Sequence, residues 1–236
     1  MITLLTFQFW LFLLLFSISI FFSFFVPGDL LVRRLNMKFL HRLVLSTILG
    51  VVFWTVQGFI FGYLGVRWLS YFYIISTFLL WLILNKNLNQ KIFRLNFKFI
   101  KPDYLLLLIV ILGLFVQLTP VWGFGLKYSE GVFLCCGNRQ DYLFHAALSQ
   151  SILRSFPPEE PGMSGVEVKN YHYWSNMAVS ELSRVYKLPI FLTQFQFITI
   201  FLSLFLGLTV IVFAQILNIS KSFTRWLTFL LYFGGD

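Results

Sequence analysis

The stretch ITLLTFQFWLFLLLFSISIFFSFFV, Ile2 to Val26, contains no charged residue. A helix crosses the hydrocarbon core of a bilayer with about 20 apolar residues. The run is therefore long enough to span, and too long for the apolar core of a signal peptide. It also lacks the basic start and the small-residue cleavage site of such a peptide. The sequence predicts a retained membrane span, ended by Pro27-Gly28. Composition extends that reading to the whole chain. Of 236 residues, 58% are hydrophobic and 11% charged, and the mean hydropathy is +0.82. Soluble domains are about 45–50% apolar and about 25% charged, so a water-soluble globule is excluded. A disordered chain, which would be rich in charge and poor in aromatics, is excluded too.

Four further spans are predicted. Leu43 to Gly65 is the second, Arg67 marks a tight turn, and Trp68 to Leu84 is the third. Tyr104 to about Val121 is the fourth, and the fifth lies within the charge-free run Leu188 to Ser220. Trp226 to Phe233 starts a sixth that, at about 1.5 Å of rise per residue, stops short of a crossing. This implies the N-terminal portion of a longer protein.

The cations sit in the gaps. Arg33, Arg34, Lys38 and Arg42 fill the first; Lys86, Lys91, Arg94, Lys98 and Lys101 the third; Lys221 and Arg225 the fifth; the second has only Arg67. Cytoplasmic loops are enriched in Lys and Arg, so gaps one, three and five are expected inside. The N-terminus and the long insert from about 122 to 187 then face away from the cytoplasm, in the plasma (inner) membrane. Orientation accounts for the excess of 18 Lys+Arg over 9 Asp+Glu, so no nucleic-acid partner is expected. Cys135 and Cys136 are adjacent. Neighbouring Cα atoms lie about 3.8 Å apart, whereas a disulfide wants about 4.4–6.8 Å, so two thiols are expected.

The insert carries six of the nine acidic residues, Glu130, Asp141, Glu159, Glu160, Glu167 and Glu181. Long connections without a structural need are usually functional or disordered. This one reads as two helical stretches around a Pro/Gly break. In the first, Gln140 to Phe156, Asn138, Asp141, His145 and Ser149 fall on one stripe. Asp141 and His145 are neighbours one turn apart, where they can share a proton, bind a cation or position a hydroxyl. Equally, Asp141 can cap the helix and His145 face interfacial water.

The break, Phe156-Pro157-Pro158-Glu159-Glu160-Pro161-Gly162, offers Glu159 and Glu160 either as a second acidic element or as a solvated turn. Tyr171-His172-Tyr173-Trp174 then opens a helix from Asn176 to Lys187. Trp174, Met177, Leu182 and Val185 repeat there at helical spacing, which predicts an amphipathic helix lying on the outer membrane surface. His172 can meet a lipid phosphate or a sugar, or be an interfacial ring. Phosphate-loop and metal-binding signatures are missing. Gly162-Met163-Ser164-Gly165 spells the nucleophile motif of rhomboid proteases, but a polar run follows it and no histidine lies within a predicted span, so a protease is not expected.

Taken in order, an apolar span, a Gly-containing stretch, Asp141-x-x-x-His145, a helix, Phe156-Pro157-Pro158, a Gly-rich turn and Tyr171-His172-Tyr173 resemble a known arrangement. It is the first large extracytoplasmic loop of polytopic GT-C-type glycosyltransferases, particularly prokaryotic mannosyltransferase-like and aminoarabinose transferase-like membrane proteins. The likeness covers roughly Tyr104 to Phe233, so residues 1–103 are a three-span extension and 104–236 the start of the core. The resemblance implies an all-α multi-pass bundle and a polyprenyl-phosphate sugar donor held among membrane lipids. It also implies a loop aspartate, here Asp141 with His145 beside it, that takes a proton from the acceptor hydroxyl with inversion at the anomeric carbon. Glu159, Glu160, Tyr171, His172 and Tyr173 are the implied substrate contacts. Many members pair two acidic residues, whereas Arg139-Gln140 precedes Asp141. No metal ligands are therefore assigned, and a divalent cation would need Glu159 or Glu160 as its second carboxylate. The competing expectation is a non-enzymatic transport or assembly subunit whose loop binds a partner. An ion-coupled carrier is disfavoured, because ionisable groups in spans mark such pathways and Ile2–Val26, Leu43–Gly65 and the fifth span have none.

Overall fold

The computed structural model describes residues 2–86, 103–133 and 139–234. Among the described residues the helices are, in chain order, α1 (Phe7–Val32), α2 (Phe39–Tyr63), α3 (Leu69–Lys86), α4 (Tyr104–Val121), α5 (Arg139–Arg154), α6 (Trp174–Tyr186), α7 (Ile190–Ile216) and α8 (Lys221–Phe233). The first four and α7 are long and apolar enough to cross a membrane. Isolated bridges, and no strands, are the only β-type pairings among the described residues. The chain is a helical, multi-pass membrane protein. Cys135, Cys136, Asn138 and the basic connector residues Lys91, Arg94, Lys98 and Lys101 lie outside the described residues.

The first span corrects an expectation. Pro27-Gly28 does not end α1, which runs through both to Val32. A proline ring collides with the carbonyl four residues back and removes an amide donor. Here the preceding turn, Phe21–Phe25, is wound as π-helix, with the Val26 N–H bonded to the Phe21 carbonyl. The wider turn takes up the proline without a break.

As a result α1 carries Asp29 within the helix, and α2, which starts at Phe39 rather than Leu43, carries Arg42. The two meet: Arg42 Nε lies 2.5 Å from Asp29 Oδ1 and Nη2 lies 2.6 Å from Oδ2. Ser46 Oγ adds a contact at 3.2 Å and the Trp81 indole N–H donates to Oδ2 at 2.9 Å. Asp29 is fully buried. A carboxylate has about four acceptor sites, and four donors meet them. The runs Ile2–Val26 and Leu43–Gly65 are free of charge, but the helices that contain them are longer and carry this ionisable pair. This pair is a closed staple between α1, α2 and α3.

Beside the staple, α1 and α2 touch backbone to backbone. A Cβ on Gly28 would strike the Ser46 carbonyl, and one on Gly50 the Phe24 backbone. Small residues permit such approach between membrane helices. Gly50→Ala should cost about 1–3 kcal/mol through overpacking, read as a lower melting temperature in detergent. An unchanged melting temperature would mean that the helices do not approach this closely.

Helix α6 corrects a second expectation. Rather than lying on the outer surface, it is enclosed: Asn176 to Ser183 and Val185 are all buried. An interfacial helix needs a water-facing side, and α6 has covered both. Its Ala178, Leu182 and Val185 join Phe9, Phe16, Trp54 and Phe197 in one apolar cluster that spans early and late helices. The Trp54 indole N–H donates to the Ala178 carbonyl at 3.1 Å. Two π-turns add polar ties to this region. Ser23, in the first, contacts the Tyr186 hydroxyl at 2.9 Å. Gln196, in the second (Thr193–Phe197), donates to the Val121 and Phe124 carbonyls at 2.8 Å each.

The two ends of the bundle can be told apart. Ile2 and Lys127 exchange backbone hydrogen bonds at 2.7 and 3.0 Å, and Arg67 in the α2–α3 turn reaches Glu181. The N-terminus, that turn and the 122–187 segment therefore share one end. Asp29–Arg42, His41–Gln215 and Asp103–Arg225 mark the other. Helix α8 starts at Lys221, earlier than the expected Trp226, and buries Thr224, Thr228 and Tyr232 along its length. Near its end the Tyr232 ring covers Gly113 and its hydroxyl donates to the Ser203 carbonyl at 2.5 Å.

Candidate functional site

Helix α5 builds the candidate site, and its bounds agree with the sequence pattern. Asp141 lies in its first turn and is exposed, His145 follows one turn on and is half-buried, and Ser149 is fully buried. The polar stripe thus runs from the surface inward, and Asn176 of α6 closes it. Asn176 Nδ2 donates to the His145 carbonyl at 3.0 Å and to Ser149 Oγ at 2.8 Å, while its Oδ1 faces His145 Nδ1 at 3.2 Å. The carbonyl partner fixes the amide orientation, because Oδ1 can only accept. Nδ1 of His145 is therefore the donor of that pair. The Tyr171 hydroxyl lies 3.5 Å from the other ring nitrogen, Nε2. Ser180 completes the α5–α6 seam by donating to the Ser149 carbonyl at 2.9 Å.

The Tyr171-His172-Tyr173 run divides. Tyr171 sits against Phe144 edge to face (5.0 Å between ring centres), and His172, which is exposed, stacks on Tyr171 at 4.9 Å. Both rings belong to the His145 side. Tyr173 turns the other way into an apolar cluster with Leu148, Ile152 and Met177, and is 8% exposed. Its hydroxyl lies 3.3 Å from that of Tyr63. Burial, and then the Tyr63 hydroxyl, raise its pKa well above the ordinary tyrosine value, so it stays neutral.

Glu159 and Glu160 are not brought to Asp141. Ser151 Oγ donates to the Glu159 carbonyl and accepts its N–H, at 3.0 and 2.8 Å. That anchor lies ten residues along α5 from Asp141, about 15 Å of axial rise. The Glu159 carboxylate accepts the Gly165 N–H at 3.2 Å, and Glu160 is tied to Val166 through the backbone at 2.7 Å. This turn therefore supplies no second carboxylate for a cation beside Asp141. Among the described residues no group of three His, Cys, Asp or Glu is placed to hold a metal ion. Ser164 is exposed in the same turn, rather than at the start of a membrane helix.

Sequence reasoning missed the charge cluster beneath the site. Glu181, in the middle of α6, is fully buried between two arginines. Arg67 Nε donates to Oε1 at 2.9 Å and its Nη2 also bonds Oε1; Arg184 Nε lies 3.1 and 3.2 Å from the two oxygens. Ser70 Oγ is 3.2 Å from Oε2. Arg67 further donates to the Ile152 carbonyl at 2.6 Å, which fixes α5 to the α2–α3 turn. The available signal was an acid flanked by Met177, Ala178, Leu182 and Val185. Such a residue cannot face water on the side it shares with them.

No known protein family, curated protein or solved structure matches the chain.

Proposed function

We propose that the protein is a membrane glycosyltransferase that moves a sugar from a polyprenyl-phosphate donor to an acceptor hydroxyl outside the cytoplasm. Asp141 takes the hydroxyl proton as the acceptor oxygen attacks the anomeric carbon. The bond from that carbon to the phosphate oxygen breaks, polyprenyl phosphate leaves with the electron pair, and the configuration inverts. The observation that carries this reading is the juxtaposition on α5. An exposed Asp141 stands one turn from the half-buried His145, beside Tyr171 and the exposed His172 stacked on it. A carboxylate, an imidazole and aromatic faces are what a sugar hydroxyl and a pyranose ring require. The 122–187 segment also lies at one end of the spans, where a lipid donor held in the bilayer would present its head group.

Two measurements test the proposal in the native membrane. With Cys135 and Cys136 replaced by serine, a cysteine at Ser164 should react with an impermeant maleimide on intact cells. Labelling only after lysis overturns the topology. Membranes carrying the protein should transfer label from a polyprenyl-phosphate sugar, and no transfer from any such donor overturns the activity.

A further inference from the structure

A groove of about 470 Å³ runs between α4 and α8, at the end of the bundle opposite the 122–187 segment. Its walls are Leu105, Leu108, Leu112, Trp226, Phe229 and Phe233, and its mouth is Ser222 and Arg225. From Leu105 to Leu112 it extends about 10 Å along α4, against about 15 Å for the hydrocarbon of one leaflet. The walls are open to the bilayer: Leu105, Leu108 and Trp226 are 50%, 49% and 62% exposed.

The mouth is charged. Arg225 Nε bonds both oxygens of Asp103, at 3.1 and 3.0 Å, and the exposed Lys221 precedes Arg225 by one helical turn on the same face of α8. Two cations against one anion leave a net positive charge at head-group level. The Ser220 side chain accepts the Phe223 N–H at 3.3 Å, and the first-turn amides of Lys221 and Ser222 point the same way as in any helix start.

We propose that this groove seats one acyl chain of an anionic phospholipid, with its phosphate at Lys221, Ser222 and Arg225. The apolar walls match a chain in length and in their opening to lipid, and the mouth matches the head group in charge. This seat lies at the far end of the spans from Asp141, so it does not depend on the proposed activity.

The test uses the intact protein, phosphatidylglycerol and phosphatidylcholine. Native mass spectrometry should show phosphatidylglycerol retained in preference to phosphatidylcholine. Lys221→Gln should lower that preference about fivefold, the effect of one cation near an anionic head group. Leu108→Trp, which fills the groove and leaves the Arg225–Asp103 pair intact, should remove the retained lipid. Brominated phosphatidylglycerol should quench Trp226, taken as the difference from Trp226→Phe. Equal retention of the two lipids overturns the proposal, as does retention indifferent to both substitutions. Absence of Trp226 quenching, as when a second copy or another protein segment covers the groove, overturns it too.

Discussion

Glu181→Ala should destabilise the protein by about 3–5 kcal/mol, the usual cost of stranding a buried charge. Folded domains hold together by about 5–15 kcal/mol, so the loss is a large share of the total. The cause is the pair of guanidiniums left behind, whose side chains are only 16% and 17% exposed. Thermal unfolding in detergent, together with protease cleavage of the 122–187 segment, measures it. Stability equal to wild type would mean that Glu181 is not the buried counter-ion. The triple replacement Arg67→Met, Glu181→Leu, Arg184→Met should recover part of the loss, because apolar groups of similar volume remove the stranded charge. Recovery stays incomplete, since the Ile152 and Arg67 carbonyls lose donors at 2.6 and 2.8 Å and an unmet buried carbonyl costs about 1–3 kcal/mol.

Asp141→Asn should lower sugar transfer by about 10²–10⁴-fold, the range for a positioned general base. The loss should fall on kcat, with little change in KM for the donor, because the base acts in the transition state rather than in donor binding. Asparagine is close in shape, and the melting temperature, read beside transfer, separates loss of the base from loss of the fold. Full transfer by this variant removes Asp141 as the base. The Glu181 and Asp141 substitutions are therefore distinguishable: one unfolds the platform, the other silences a standing site.

The five spans were legible because long apolar runs admit one reading in a bilayer. The end of the first was not. Pro27-Gly28 reads as a stop, and only the π-turn at Phe21–Phe25, a feature without a residue signature, lets α1 continue. The spacing of Asp141 and His145 was legible from helical periodicity alone. The orientation of His145 was not, because it depends on Asn176, 31 residues away. The same limit explains α6. Trp174, Met177, Leu182 and Val185 describe an amphipathic helix equally well on a membrane surface or inside a protein. What decides between them is whether distant groups satisfy the polar side, and those groups are Ser149 on α5 and Arg67 beyond α2. The missed Asp29 shares this character: a lone acid just after a Pro-Gly pair is unremarkable until Arg42, Ser46 and Trp81 converge on it.

Arg67 and Glu181 are separated by 114 positions in the chain. At about 5–20 residues per second, the arginine leaves the ribosome roughly ten seconds before its counter-ion is made. Through that interval its long stem lets the guanidinium rest at the bilayer rim, a provisional berth during biogenesis. Delivery of Glu181 by the folding α6 ends the wait, so the locking of this end is a late event of synthesis. A nascent chain stalled before residue 181 would leave this end of the bundle unlatched.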